Sequence, residues 1–216
     1  MIHTYKHIVW DWNGTLFNDV WLCVETINTL LSRRRLPTLS LETYRRVFLF
    51  PVRDYYREVG FDFAQDSFED LSIEFMQIYH DRLHECTLHQ DVQDVLTRIK
   101  RAAIGQSILS AFPYDSLVKI VRQFQLEGFF DHLLGLGDIY ADSKIELGRT
   151  WMHAQGYGHA DVLLIGDTTH DFDVAEAIGA DCILVASGHN SLERLQECRA
   201  VRVVESLADL MPPEVH

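Results

Sequence analysis

From about residue 90 onward, short apolar runs alternate with amphipathic helical segments. Strand-like stretches at 103–109, 132–135, 162–165, 182–185 and 201–204 are separated by helical patterns at 114–126, 143–155, 170–178 and 191–196. Strands that alternate with helices make a parallel sheet, because a parallel pair needs a crossover and a helix supplies it. The pattern excludes all-α and all-β architectures and predicts a doubly wound, Rossmann-like α/β core. One further apolar run, 7–11, stands apart near the start of the chain and belongs with this series. Between them, 17–87 reads as helix: Trp21, Val24, Ile27 and Leu31, then Leu71, Phe75, Ile78, Tyr79 and Leu83, recur at helical spacing. Pro37 and Pro51 punctuate this block, and no strand is expected inside it. The expected organisation is a core of residues 1–16 and 88–216, with an inserted helical domain at 17–87.

The core can be large, since 47% of the 216 residues are hydrophobic. The formal charge of −13 argues against a nucleic-acid or anionic-membrane surface, because both need basic patches. It leaves room for a small anionic substrate, whose local field is set by nearby charges and any bound cation. Cys23, Cys86, Cys182 and Cys198 are widely spaced with no Cys-x-x-Cys pair, which reads as reduced thiols in a cytoplasmic protein. No signal-peptide core and no apolar stretch of membrane-spanning length is seen. The oligomeric state is not encoded in any pattern of this kind.

Four polar pieces fall at the ends of the expected strands. Asp11-Trp12-Asn13-Gly14-Thr15 follows Ile8-Val9-Trp10, and Ser110 follows Ile108-Leu109. Lys144 opens a helix after the acidic stretch 138–142, and Gly166-Asp167-Thr168-Thr169-His170-Asp171 follows the strand at 162–165. In a parallel sheet all four lie on the carboxyl rim, where ligands bind. Their chemistry is coherent with phosphoryl transfer. A carboxylate, Asp11, can attack phosphorus and carry the phosphoryl group. Attack by an anion on an anion needs neutralisation. Mg²⁺ supplies it and takes oxygen ligands, here the carboxylates of Asp11 and Asp167 and the carbonyl of Asn13. Ser110 offers a hydroxyl and Lys144 a positive charge for phosphoryl oxygens. Thr15 is a further substrate-binding candidate, and Asp171 can orient Lys144 or a metal-bound water.

In their order and combination these motifs resemble the haloacid dehalogenase (HAD) superfamily, over nearly the whole chain. The position and size of the helical insertion fit that superfamily's small helical cap, as in its phosphoglycolate phosphatase-like members. The resemblance implies Asp11 as nucleophile, Asp167 as Mg²⁺ ligand, and Ser110 and Lys144 as phosphate binders. One position departs from the pattern. The family's aspartate two residues after the nucleophile, which protonates the leaving group and then deprotonates the hydrolytic water, is Asn13 here. An amide does neither, and general acid–base catalysis contributes about 10²–10⁴ in rate. Two neighbouring chemistries lack an Asp at this position too. Phosphonoacetaldehyde hydrolysis needs a cap lysine, and none occurs between Lys6 and Lys100. Dehalogenation has no use for the pair Asp167 and Asp171. The expectation is an Mg²⁺-dependent phosphatase of low turnover acting on a small phosphorylated metabolite. The alternative is an impaired relative that binds such a metabolite or a partner protein. On sequence grounds, Asn13→Asp alone restores the missing acid.

Other residues read more plainly. Arg33-Arg34-Arg35 looks like a solvated helix end. Arg45, Arg46 and Arg53 are placed where an inserted helix could offer a cation to an anionic substrate. Trp10 and Trp12 read as core. His170 is the nearest residue in sequence that could take over proton transfer.

Overall fold

The computed structural model describes residues 2–137 and 144–210. The acidic stretch 138–142 lies outside the described residues. The first strand, β1 (His7–Trp10), leads through the Asp11 turn to a short strand β2 (Phe17–Asn18). Four helices follow: α1 (Val20–Arg33), α2 (Leu41–Val47), α3 (Val52–Glu58) and α4 (Phe68–Arg82). The chain returns through β3 (Thr87–Leu88) and α5 (Val92–Arg101). The alternating part then runs β4 (Gly105–Pro113), α6 (Tyr114–Gln123), β5 (His132–Leu136), α7 (Lys144–Gln155), β6 (Val162–Gly166), α8 (Thr169–Ile178), β7 (Asp181–Val185), α9 (Leu192–Gln196) and β8 (Arg202–Val204).

Among the described residues, six strands form one parallel sheet in the order β5-β4-β1-β6-β7-β8. The isolated N-terminal strand lies at its centre, with Trp10 level with Ile108 on one side and Ile165 on the other. Both faces are covered, which is why the strands read as unbroken apolar runs. Ile8, Trp10, Ile108, Leu163, Ile165, Ile183 and Val185 turn toward α5, α6 and the helical block. Val9, Leu109, Leu164, Cys182 and Leu184 turn toward α7, α8 and α9. The alternation along each strand is the period-two geometry of a pleated backbone.

Two expectations need correction. The 17–87 block is not free of strand, because Phe17–Asn18 pairs antiparallel with Thr87–Leu88 at its two ends. Its two connecting passages run side by side in opposite directions, and their backbone groups satisfy each other. Ser110 does not end its strand either. β4 continues to Pro113 with a shift of register against β5 after Leu109, so Ser110 opens the irregular stretch. Trp10 and Trp12 are fully buried. Arg33 and Arg34 are not simply solvated: both bind Glu74 on α4, and Arg34 also binds Asp66, tying α1 to the far side of the block. All four cysteines are free. No helix of the described residues is long and apolar enough to cross a membrane.

At the amino end of the sheet, His7 is buried with Nε2 2.8 Å from the Ser107 hydroxyl and Nδ1 3.2 Å from the Tyr157 hydroxyl. Burial pushes its pKa down to about 4, against a raising effect of Asp131. A histidine held neutral in the fold stabilises it fully above the unfolded value near 6.5. That contribution is lost as pH falls toward the folded value, with roughly 2 kcal/mol at stake. Urea unfolding between pH 7.5 and 4.5 is expected to show a drop of that size that is absent in His7→Gln. Parallel pH profiles for the two proteins would contradict this.

Candidate active site

The carboxyl rim of the sheet gathers the chemistry. Asp11 leaves the central strand, and its amide still donates to Ile165 O at 2.8 Å, so the turn is anchored to β6. Gly14 has φ +77°, and a Cβ there would collide with Asp167 and His189. That position needs glycine both for its backbone and for this close approach. Asp167 follows β6, and Asp171 sits in the first turn of α8. Lys144 opens α7 and is 4% exposed.

These groups meet. Lys144 Nζ donates to Asp11 Oδ1 at 2.5 Å and also to Asp171 Oδ1. The other oxygen of Asp171 accepts from the Thr168 hydroxyl at 2.6 Å and the Thr168 amide at 3.0 Å, closing a capping box at the start of α8. Asp171 therefore both caps its helix and holds the lysine. Thr15, expected to contact a substrate, directs its hydroxyl at the carboxylates, 2.7 Å from Asp167 Oδ1 and 3.2 Å from Asp11 Oδ2. Asp167 Oδ2 accepts the His189 amide at 2.6 Å. Ser110 is buried, and its oxygen accepts the Phe112 amide at 3.0 Å, which leaves its proton to donate.

The electrostatics are lopsided. One oxygen from each of Asp11, Asp167 and Asp171 falls within 4.8 Å of the others, and the ammonium of Lys144 contacts the first and third. Burial pushes Asp11 up to about 8, even against the opposing pull of Lys144. Burial together with the charge of Asp171 pushes Asp167 up to about 7. Burial would raise Asp171 as well, but Lys144 and the hydrogen bonds outweigh it and hold that carboxyl below its ordinary value. Lys144 is raised, with burial overcome by its two carboxylate partners. Two carboxylates that resist ionisation beside each other, with a third carboxylate within reach, suit a hard divalent cation that takes oxygen ligands.

The side chains of four further sequence candidates have other partners. The side chain of Asn13 turns to the helical block, where Nδ2 donates to Asp19 Oδ2 at 2.8 Å and to the Tyr79 hydroxyl at 3.0 Å. An aspartate at this position would therefore face another carboxylate, so the expectation that Asn13→Asp alone restores an acid meets an obstacle. Arg45 donates to two core carbonyls, from one terminal nitrogen to Ser187 O at 2.7 Å and from Nε to Gly188 O at 2.8 Å. Arg53 lies over the rings of Phe63 and Phe68 within the helical block. The half-buried ring of His170 packs on Phe50, 4.7 Å between centroids.

Asp19, His189, Asn190 and Tyr44 escaped the sequence reading, and Tyr79 entered it only as part of an apolar helical pattern. His189 and Asn190 follow β7 on the same rim, so applying the rim rule to that strand would have found them. His189 touches the Tyr44 hydroxyl at 2.9 Å, and Asn190 donates to Phe48 O at 2.9 Å. Asp19 carried only the weak signal of an acidic residue just before a helix.

A model of the family described as "Haloacid dehalogenase-like hydrolase" matches residues 8–185. The phosphoglycolate phosphatase of Aliivibrio fischeri is 23% identical over 207 residues, 91% of each chain. That of Pseudomonas syringae pv. tomato is 21% identical, over 96% of this chain and 79% of the relative. Among solved structures, a haloacid dehalogenase-like hydrolase from Bacteroides fragilis superposes with a TM-score of 0.82 at 20% identity, covering 96% of this chain and all of that one. A haloacid dehalogenase-like family hydrolase of Streptococcus pneumoniae gives 0.81 at 16% identity, covering 97% and 98%. These structural likenesses speak for the fold.

Proposed function

The chain belongs to the haloacid dehalogenase-like hydrolase family, and on that premise we propose that it is a magnesium-dependent phosphatase of small phosphorylated metabolites, working through a phosphorylated Asp11. Residues 1–16 and 88–216 form the catalytic core in this reading, and 17–87 the cap that closes over it. The observation that carries the proposal is the meeting of Asp11, Asp167 and Asp171 at one end of the central strands, with Lys144 bridging Asp11 and Asp171. The naming of relatives as phosphoglycolate phosphatases supports the substrate class.

Asp11 Oδ attacks phosphorus, the bond to the substrate oxygen breaks, and that oxygen leaves with the bond pair. Water then attacks the same phosphorus and releases Asp11 as carboxylate and inorganic phosphate. Lys144 neutralises phosphoryl charge while Asp171 holds it in place, and the Ser110 hydroxyl donates to a phosphoryl oxygen. Thr15 orients Asp11 and Asp167. The residues fit Mg²⁺: Asp11, Asp167 and the Asn13 carbonyl would hold it, and it would offset the charge of carboxylate and phosphate together. Asn13 supplies no proton, so departure depends on the intrinsic stability of the leaving group. A second reading, a phosphate-ligand binder without turnover, is favoured by that same amide. Aryl phosphates of graded leaving-group pKa separate the two. Steep dependence with cleavage of the best leaving groups supports the phosphatase, and no cleavage with intact ligand binding supports the binder.

Mg²⁺ binding is expected in titration calorimetry of the wild type and lost in Asp167→Ala; equal binding by both would remove Asp167 from the ligand set. The cation must displace protons held by groups near 7 and 8. Affinity should therefore weaken as pH falls below that range, by up to about tenfold per pH unit for each proton displaced. An affinity unchanged between pH 8.5 and 6 would contradict the assignment.

A further inference from the structure

We propose that Asn13 and Asp19 form a matched amide–carboxylate pair that seats the cap on the catalytic turn through Tyr79, so that an acid at position 13 requires an amide at position 19. The inference rests on the reading of the Asp11 turn as the reaction centre and gives Asp19 and Tyr79 a positioning role.

Every proton in the seam is accounted for. Asp19 is 1% exposed, and Oδ1 accepts the Gly14 amide at 2.9 Å. Its Oδ2 accepts one Asn13 N–H at 2.8 Å and the Tyr79 O–H at 2.6 Å. The Tyr79 oxygen in turn accepts the second Asn13 N–H at 3.0 Å. Tyr79 belongs to α4, and Asn13 is two residues from the proposed nucleophile. The triangle thus links a cap helix to the catalytic turn. Asp19 occupies the N-cap position of α1, yet its side chain makes no capping bond there. It turns back to Gly14 and Asn13. On its other side lie His189 Nε2 at 3.8 Å, held through the Tyr44 hydroxyl to α2, and the Cys23 sulfur at 3.9 Å. A second cap helix therefore borders the same carboxylate.

Only one amide and one carboxylate satisfy this arrangement. With Asp at both positions, two buried carboxylates would oppose each other at the present 2.8 Å spacing, and the Tyr79 proton would be the one donor between them. With the two exchanged, the amide at 19 accepts from Gly14 and donates to residue 13 and Tyr79, while Tyr79 donates to residue 13. The count closes again, and position 13 now carries an acid.

The test is a double-mutant cycle of Asn13→Asp, Asp19→Asn and the exchange of both, with Tyr79→Phe alongside, in metal-free buffer at pH 8. Two readouts independent of turnover are used: melting temperature, and hydrogen exchange of the α4 segment. Asn13→Asp is expected to lower the melting temperature by about 5 °C or more and to speed α4 exchange. In the Asp19→Asn background the same change should cost nothing, within about 2 °C. Tyr79→Phe should speed α4 exchange even if Asn13→Asp fails to fold. With Mg²⁺, the exchanged protein should hydrolyse aryl phosphates with poor leaving groups about 10²–10⁴ faster than wild type, and Asn13→Asp alone should fall short of it. Additive melting shifts, or unchanged α4 exchange in Tyr79→Phe, would overturn the pairing. If the exchange restores stability and cap protection but no hydrolysis, the pairing stands and the phosphatase reading falls.

Discussion

Asp11→Asn is expected to abolish phosphomonoester hydrolysis, lowering the single-turnover rate by about 10⁴-fold or more, because the covalent bond to phosphorus is made and broken at this carboxylate and an amide does not form it. The loss should not come from misfolding. Lys144 keeps its second partner, Asp171, and the Asp11 main chain stays bonded to β6. The removed carboxyl is one that burial already pushes up to about 8. In metal-free buffer at pH 8, where the other buried carboxylates repel it, the variant should melt no lower than wild type. Rapid quench of an aryl phosphate with excess enzyme, paired with calorimetry, checks both halves. Undiminished turnover would remove Asp11 from the nucleophile's role, and a folding defect would show that its interaction with Lys144 is structural.

Lys144→Met carries the largest expected effect on stability. Lys144 Nζ bridges the buried carboxylates of Asp11 and Asp171, and removing it leaves both without their cation. Breaking a buried ion pair from one side costs about 3–5 kcal/mol, which for a chain of this size is a melting shift on the order of 10 °C. The pH dependence has a defined sign. Without the ammonium, burial acts on both carboxyls with less opposition: Asp11 moves further above its unfolded value, and Asp171 loses the main interaction that holds it below its own. The stability they contribute is present at low pH and lost as pH rises through the folded values. The deficit should be largest near pH 8 in metal-free buffer and shrink toward pH 5.5. Mg²⁺ should recover part of it, since a cation would again stand among the carboxylates. A melting temperature equal to wild type at pH 8 would mean that the cluster is solvated and not buried as described.

Much of the fold could be read from the chain because its sheet is buried on both faces. Runs such as Val162–Gly166 have no polar residue to interrupt them, and amphipathic helices mark each crossover. The β2–β3 ribbon could not be read, since two residues on each side pair through backbone alone and leave no periodic trace. The continuation of β4 past Ser110 was hidden for a related reason: the register shift against β5 is a property of the pair, not of either strand. In the site, Asp11, Lys144, Asp167 and Asp171 were legible because the topology carries the ends of parallel strands to one rim. Asp19 and Tyr79 were not, because they lie 60 positions apart and meet only when the helical block folds over the turn. The partners of Arg45 could not be read either: its Nε and one terminal nitrogen donate to two carbonyls of the loop after β7, a meeting of distant segments.

In the proposed reaction Asp11 carries a phosphoryl group. Wild-type protein mixed with Mg²⁺ and an aryl phosphate, quenched in the steady state and reduced with borohydride, should yield homoserine at position 11 in the digested peptide, since hydride reduces an acyl phosphate and spares a free carboxylate. The signal should require Mg²⁺ and vanish in Asp11→Asn. Turnover of the same substrate with aspartate intact at position 11, or reduction at another carboxylate, would contradict the account.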